Sequence, residues 1–229
     1  MKNRAFVKYK KTGEIVPGSL IITQGGYPKG GPYKEITTNL CCDITSSNSK
    51  ALILSFTIGF PDIGDPNNVA TWNTWFGLPS LGNPFTSVEI NGLTAKLYGG
   101  SNITIQGYFF KGSFIVSIVD EANCIVTIGT DDQAFAYCDY LTIVDLPAVV
   151  NICCTSVFEG CGRLTIVNIP SCTSLGASVG GDSVFAFINN NNPVVLTIDA
   201  SRATCNGGNP DGDIEGLVIS NPGTIINYV

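Results

Sequence analysis

Polar and apolar residues alternate in two ten-residue stretches that spell nearly the same string. Cys138-Asp139-Tyr140-Leu141-Thr142-Ile143-Val144-Asp145-Leu146-Pro147 is followed, 23 residues on, by Cys161-Gly162-Arg163-Leu164-Thr165-Ile166-Val167-Asn168-Ile169-Pro170. A period in the twenties predicts stacked units, each burying its apolar side against the next. Val144 and Leu146, like Val167 and Ile169, alternate with polar neighbours, so a short strand points them inward. Leu141 and Leu164 turn inward one corner earlier, and Ile152 and Leu175 close the far side. Phe135 and Phe158 precede the cysteines by three and fill the wide end.

Aligning the inward pair of each strand extends the series to Val88/Ile90, Val116/Ile118, Val144/Leu146, Val167/Ile169, Leu196/Ile198 and Leu217/Ile219. Their second members are 28, 28, 23, 29 and 21 residues apart. No long window carries a helical period, so the pattern predicts a mainly β fold. Excursions at 178–182, 189–192 and 206–212 are expected to bulge from one edge of the stack.

The spelling Phe-x-x-Cys-x-x-Leu-Thr-x-Val-x-Leu/Ile-Pro resembles the leucine-rich repeats of bacterial surface proteins of the BspA-like type, closely over 135–176 and more loosely over 86–229. That resemblance implies a short leucine-rich-repeat-like β-solenoid over 85–229.

A second resemblance lies at the start of the chain. Arg4-Ala5-Phe6-Val7-Lys8-Tyr9, then Gly13-Glu14-Ile15-Val16-Pro17-Gly18-Ser19-Leu20-Ile21, Gly26-Tyr27-Pro28 and Leu40-Cys41-Cys42 is similar to the opening of virion structural proteins of tailed phages infecting Bacteroides- and Flavobacterium-type hosts. It implies a β-rich anchoring module, expected over 1–84 with its boundary at residues 79–84. It also implies a non-enzymatic virion protein: a head or tail fibre, a decoration or a host-contact element. Its partners would be other virion proteins, and a host surface protein or glycan. The competing reading is a bacterial surface adhesin or a protein- or carbohydrate-binding repeat module.

Composition narrows the classes further. A net charge of −6 excludes the clustered Lys and Arg that phosphate contacts need, so no nucleic-acid partner is expected. Val7-Lys8-Tyr9-Lys10-Lys11 leaves no apolar region behind the charged start, so no signal peptide is expected. The longest apolar run, 51–58, is too short for a membrane span. These features lead to the expectation of synthesis in a host cytoplasm, and residence in a virion is what the second resemblance implies. Nine cysteines is a high and odd count. Cys138 and Cys161 are repeat equivalents expected to stack on neighbouring passes, a geometry that permits a disulfide. Reduced, buried thiols are the expectation, because free Cys is commonly buried and no export signal is seen. With no histidine and no Cys-x-x-Cys, zinc is not expected.

Candidate chemistry is sparse, and no catalytic residue, cofactor or metal is assigned. A Ser-His-Asp or Cys-His nucleophile lacks its imidazole. Carboxylate pairs occur at Asp62/Asp65, Asp131/Asp132 and Asp211/Asp213/Glu215, with turn formation the default reading. The stretch around Asp211 invites a calcium reading but departs from the EF-hand loop, because positions 1 and 12 would be Gly207 and Val218. Trp72 and Trp75 are amphipathic enough to stack on sugars or to pack at a subunit contact. The stretch 214–229 is apolar to its last residue, so Tyr228 and this tail join Trp72 and Trp75 as contacts of an expected homo-oligomer, a trimer by analogy with phage fibres.

Overall fold

Short runs of β-branched residues between turns build nearly all of the regular structure. The computed structural model describes residues 50–78, 82, 84–129, 132–153, 155–176, 184–185, 193–204 and 211–229, and the backbone of two N-terminal strands. Residues 10–14, 23–49, 79–81 and 83, the excursions at 178–182 and 189–192, and Cys41, Cys42, Cys154 and Asp131 lie outside the described residues. The chain divides into two compact units, Met1–Asn48 and Ser49–Val229. In the first, β1 (Ala5–Tyr9) and β2 (Ile15–Ile22) pair as an antiparallel hairpin.

The second unit begins with β3 (Leu52–Phe56), helix α1 (Val69–Trp75), β4 (Phe85–Asn91) and β5 (Thr94–Gly99). The chain then passes alternately through two sheets. β6 (Ile103–Ile105), β8 (Ile125–Ile128), β10 (Asn151–Ile152) and β12 (Ser174–Leu175) form a four-stranded parallel sheet. β7 (Ile115–Asp120), β9 (Ile143–Asp145), β11 (Ile166–Ile169), β13 (Val195–Ile198) and β14 (Ile225–Tyr228) run parallel in the second sheet. There β3 pairs antiparallel with β7, and β5 and β4 continue the sheet to eight strands.

Register follows the sequence repeat where the repeat is tightest. Val144 pairs with Val167, and Ile152 with Leu175. Leu141, Val144, Leu146, Ile152, Phe158, Leu164, Val167, Ile169 and Leu175 are all buried, as the alternation predicts. Side chains reinforce the same offset of 23: Asn168 donates to Asp145 at 2.7 Å, and the Thr165 hydroxyl donates to the Thr142 carbonyl at 3.1 Å. Phe110, Phe135, Phe158 and Phe185 form a buried stack with centroids 5.0, 5.6 and 5.9 Å apart and planes within 16° of parallel.

Four expectations are corrected. The unit boundary falls at 48/49 rather than at 79–84, because β3 is hydrogen-bonded on both sides to strands of the repeat region. Val88/Ile90 lies on β4, an antiparallel hairpin partner of β5, so it is not a repeat strand. The partner of Val144 on β7 is Ile118, not Val116, a shift of two residues that keeps the same face inward. Leu217/Ile219 lies in helix α2 (Gly212–Ser220), where Leu217 is buried and Ile219 exposed. The last parallel strand is β14 instead, with Ile226 opposite Leu196.

Candidate functional site

Trp72 and Trp75 come from one short helix. The Asn68 side chain caps α1 by accepting from Ala70 N, and a spacing of three puts both indoles on one side. Trp72 is fully buried, its indole N–H donating to the Pro66 carbonyl at 2.7 Å and its ring set edge-on to Phe60 and Trp75. Trp75 is half-buried against Phe109 and Phe110. The pair therefore joins α1 to the Phe110 end of the aromatic stack within its own unit. Trp72 presents no ring to a sugar or a partner, which corrects its reading as a contact residue. Burial of this size is what an aromatic cluster contributes to a core.

The carboxylate groups do not converge. Asp62 and Asp65 are exposed, and Asp65 closes a turn by accepting from both nitrogens of Asn67. Asp132 accepts from the hydroxyl of Thr155 at 2.9 Å. Asp211 is the N-cap of α2, accepting from Asp213 N at 3.0 Å, and it meets the Arg202 guanidinium at 3.5 Å. Asp213 accepts from Val184 N. Asp211 and Asp213 thus order backbone and an arginine, Glu215 is exposed on the helix, and residues 206–210 of the candidate calcium stretch lie outside the described residues. No cluster of metal-ligating residues occurs among the described residues.

Among the described residues one carboxylate is buried. Asp120 ends β7 with its Oδ2 accepting from Ile125 N at 2.7 Å and its Oδ1 from the Cys124 thiol at 3.3 Å, so it fixes the turn into β8. Beside it a shallow depression of about 320 Å³ is bordered by Lys50, Glu121 and Asp145.

Among the described residues the buried cysteines are structural. Cys138 donates its thiol to the Phe110 carbonyl at 2.9 Å, and Cys161 donates to the Phe135 carbonyl at 3.0 Å. Each reaches the carbonyl of the preceding pass, so a small donor sits at each turn. Both are free and buried, as are Cys124 and Cys172, whereas Cys153 is exposed. The Cys161 thiol is raised by its hydrogen bond to Cys138 and by burial. Burial pushes Cys172 up to about 11. Such thiols are poor nucleophiles.

Sequence reasoning missed a network at the corner where the two sheets are joined. Backbone bonds cross from pass to pass there: Phe110 N to Ala134 O at 2.8 Å, Phe135 N to Val157 O at 2.9 Å. Equivalent residues sit at positive φ in each pass, Tyr108, Gln133 and Ser156 in one column and Gly112, Tyr137 and Gly160 in the other. On this corner Lys111 donates to Gln133 Oε1 at 2.6 Å, and Gln133 donates to Glu159 Oε2 at 2.6 Å. The Tyr137 hydroxyl donates to the other oxygen of Glu159. The recurrence of 112, 137 and 160 at intervals of 25 and 23 was the available signal, hidden because a tyrosine stands among glycines.

Towards the C-terminus, Ile226 and Tyr228 pack on the core as partly buried residues. Val218, Ile219, Ile225 and Val229 are exposed. No family model, curated protein or solved structure matches the chain.

Proposed function

We propose that the protein is a non-enzymatic structural component of a phage particle. In this reading the second unit is a leucine-rich-repeat-like solenoid, and the first fixes it to the virion. Support for the solenoid comes from the pairing of β9 with β11 at the repeat's own offset of 23 residues, continued by the phenylalanine stack. Support for the virion assignment is the resemblance of the opening residues, Arg4 to Cys42, to phage virion proteins. Asp65, Asp120 and Asp211 are committed to turns and a helix cap, which favours a scaffold over a hydrolase.

The particle would supply partners for the exposed apolar side chains at the C-terminal end, Val218, Ile219, Ile225 and Val229, and we expect these rather than Trp72 to meet a second copy. Mass spectrometry of purified virions tests the assignment. Peptides of this chain at a stoichiometry of many copies per particle are expected. Their absence from particles, with the protein recovered at a bacterial surface, would replace this reading with that of a bacterial surface adhesin. Light scattering tests the oligomer, and a monomer at micromolar concentration would remove that part alone.

A further inference from the structure

Two of the three exposed aromatic rings among the described residues, Tyr108 and Tyr137, meet at one ammonium, that of Lys111. Tyr108, Phe114 and Tyr137 are 52%, 48% and 46% exposed, and all three come from the turn segments of two successive passes. The other large exposed apolar side chains among the described residues are aliphatic. Two of these rings are held in an unfavourable backbone conformation: Tyr108 and Tyr137 both have φ of 59°. Positive φ is strained for a bulky residue, and glycine occupies the places equivalent to Tyr137 in the neighbouring passes, Gly112 and Gly160. Packing does not explain the choice, because the rings face solvent.

The rings are also held in place. A Cβ on Gly160 would stand 2.7 Å from Cδ1 of Tyr137, so the glycine leaves the room in which that ring lies. The Lys111 ammonium sits between the two tyrosines, 5.0 Å from the Tyr108 centroid and 5.6 Å from that of Tyr137. From it runs the fixed chain Lys111–Gln133–Glu159–Tyr137. A separate pair of rings follows in the same segments: Phe114 lies 6.2 Å from Tyr140, over which the Arg163 guanidinium is placed at 5.1 Å.

We propose that this corner is a carbohydrate-binding surface for a neutral, pyranose-containing glycan. A pyranose has an apolar C–H face and a rim of hydroxyls that both donate and accept. An exposed tyrosine offers the matching flat face at low entropic cost, since it has two side-chain torsions. The ammonium, amide and carboxylate beside it are already fixed, and together they supply donors and acceptors for adjacent hydroxyls. Lys111 and Glu159 cancel in charge, which favours a neutral sugar over an anionic one. A proline-rich peptide also stacks on tyrosine, but it seats in an apolar groove, and here the rings are bordered by charged or amide groups. The proposal holds whether or not the protein belongs to a virion.

Saturation-transfer NMR on the full chain tests it, with the methyl glycosides of mannose, galactose and glucose at about 10 mM, enough to fill a site of roughly millimolar Kd. Transfer to the ring protons of at least one glycoside is expected. Tyr108→Ala and Tyr137→Ala should each weaken that binding by about tenfold or more. Val150→Ala, an exposed change in the turn between β9 and β10, should leave it unchanged. Tyr137→Phe keeps the ring and removes only the bond to Glu159, so it serves if the alanine variants do not fold, and it should weaken binding less than tenfold. The proposal is overturned if none of the three glycosides receives transfer, or if the double variant Tyr108→Ala/Tyr137→Ala binds as the wild type does. Binding of a proline-rich decapeptide at this corner, in place of the glycosides, would overturn it equally.

Discussion

Replacing Phe135 with alanine removes an inner ring of the four-ring stack. Phe135 is fully buried and lies nearly parallel to Phe110 on one side and Phe158 on the other, at 5.0 and 5.6 Å. Truncating a buried phenylalanine costs about 3–5 kcal/mol in lost transfer energy and cavity formation. Two ring pairs go with it, and an aromatic pair contributes about 0.5–1.5 kcal/mol beyond its area. The loss should therefore lie near the top of the first range, about 4–5 kcal/mol. Total stabilities of about 5–15 kcal/mol make that a large fraction, so the variant should be marginal. Two controls separate the contributions. Phe135→Leu keeps most of the apolar volume and should cost about 1–2 kcal/mol through lost stacking and imperfect shape. Phe114→Ala removes a half-exposed ring and should stay within about 0.5 kcal/mol of wild type. Urea titration followed by far-UV circular dichroism measures all three, provided the m-values agree. A Phe135→Ala loss below about 1 kcal/mol, or one equal to that of Phe114→Ala, would refute the buried stack.

Thiol reactivity should follow burial. A short iodoacetamide pulse on the native protein, read by peptide mapping, should label Cys153 and spare Cys124, Cys138, Cys161 and Cys172, which should react only after unfolding. Labelling of Cys161 at the rate of Cys153 would contradict the stacked-thiol description. Asn73 is buried and holds both backbone groups of Phe85, donating from Nδ2 at 2.9 Å and accepting at Oδ1 at 2.7 Å. Asn73→Ala strands both groups and should cost about 2–4 kcal/mol by thermal or urea unfolding, and a change under about 0.5 kcal/mol would be inconsistent with those bonds. In a spectrophotometric titration Tyr98 and Tyr137 should lose their protons above the ordinary tyrosine range, because each phenol donates to a carboxylate, Glu89 and Glu159 respectively. A pKa raised on folding contributes stability that is full below the unfolded value near ~10 and disappears as pH rises through the higher folded one. Glu159→Gln should return Tyr137 to the ordinary range, and no movement would sever the link.

How much was legible in the sequence depended on whether a pattern had one geometric solution. The pair of strings at 138 and 161 did: leucine, alternating aliphatics, phenylalanine and cysteine recur at one offset, and the inward face and the pairing of Val144 with Val167 follow. The spacing alone left a disulfide between Cys138 and Cys161 open, and their free, buried state was expected from the burial habit of free thiols. A Val-x-Ile pair alone had no single solution, because a slip of two residues keeps every side chain on its face. Only backbone pairing chose Ile118 over Val116 as the partner of Val144. In 212–220 apolar residues masked a helix whose local marks were present: an Asp211 cap and acidic residues in the first turn. The fate of Trp72 was a tertiary decision, since Phe60 and Trp75 cover its ring while the Pro66 carbonyl takes its only polar atom. The corner network was tertiary for the same reason. Lys111, Gln133, Glu159 and Tyr137 are far apart in the chain and meet because stacking brings positions 22 to 26 residues apart side by side. The repeat in the sequence determined which strands would pair in parallel, and the paired backbone determined which surface side chains would touch.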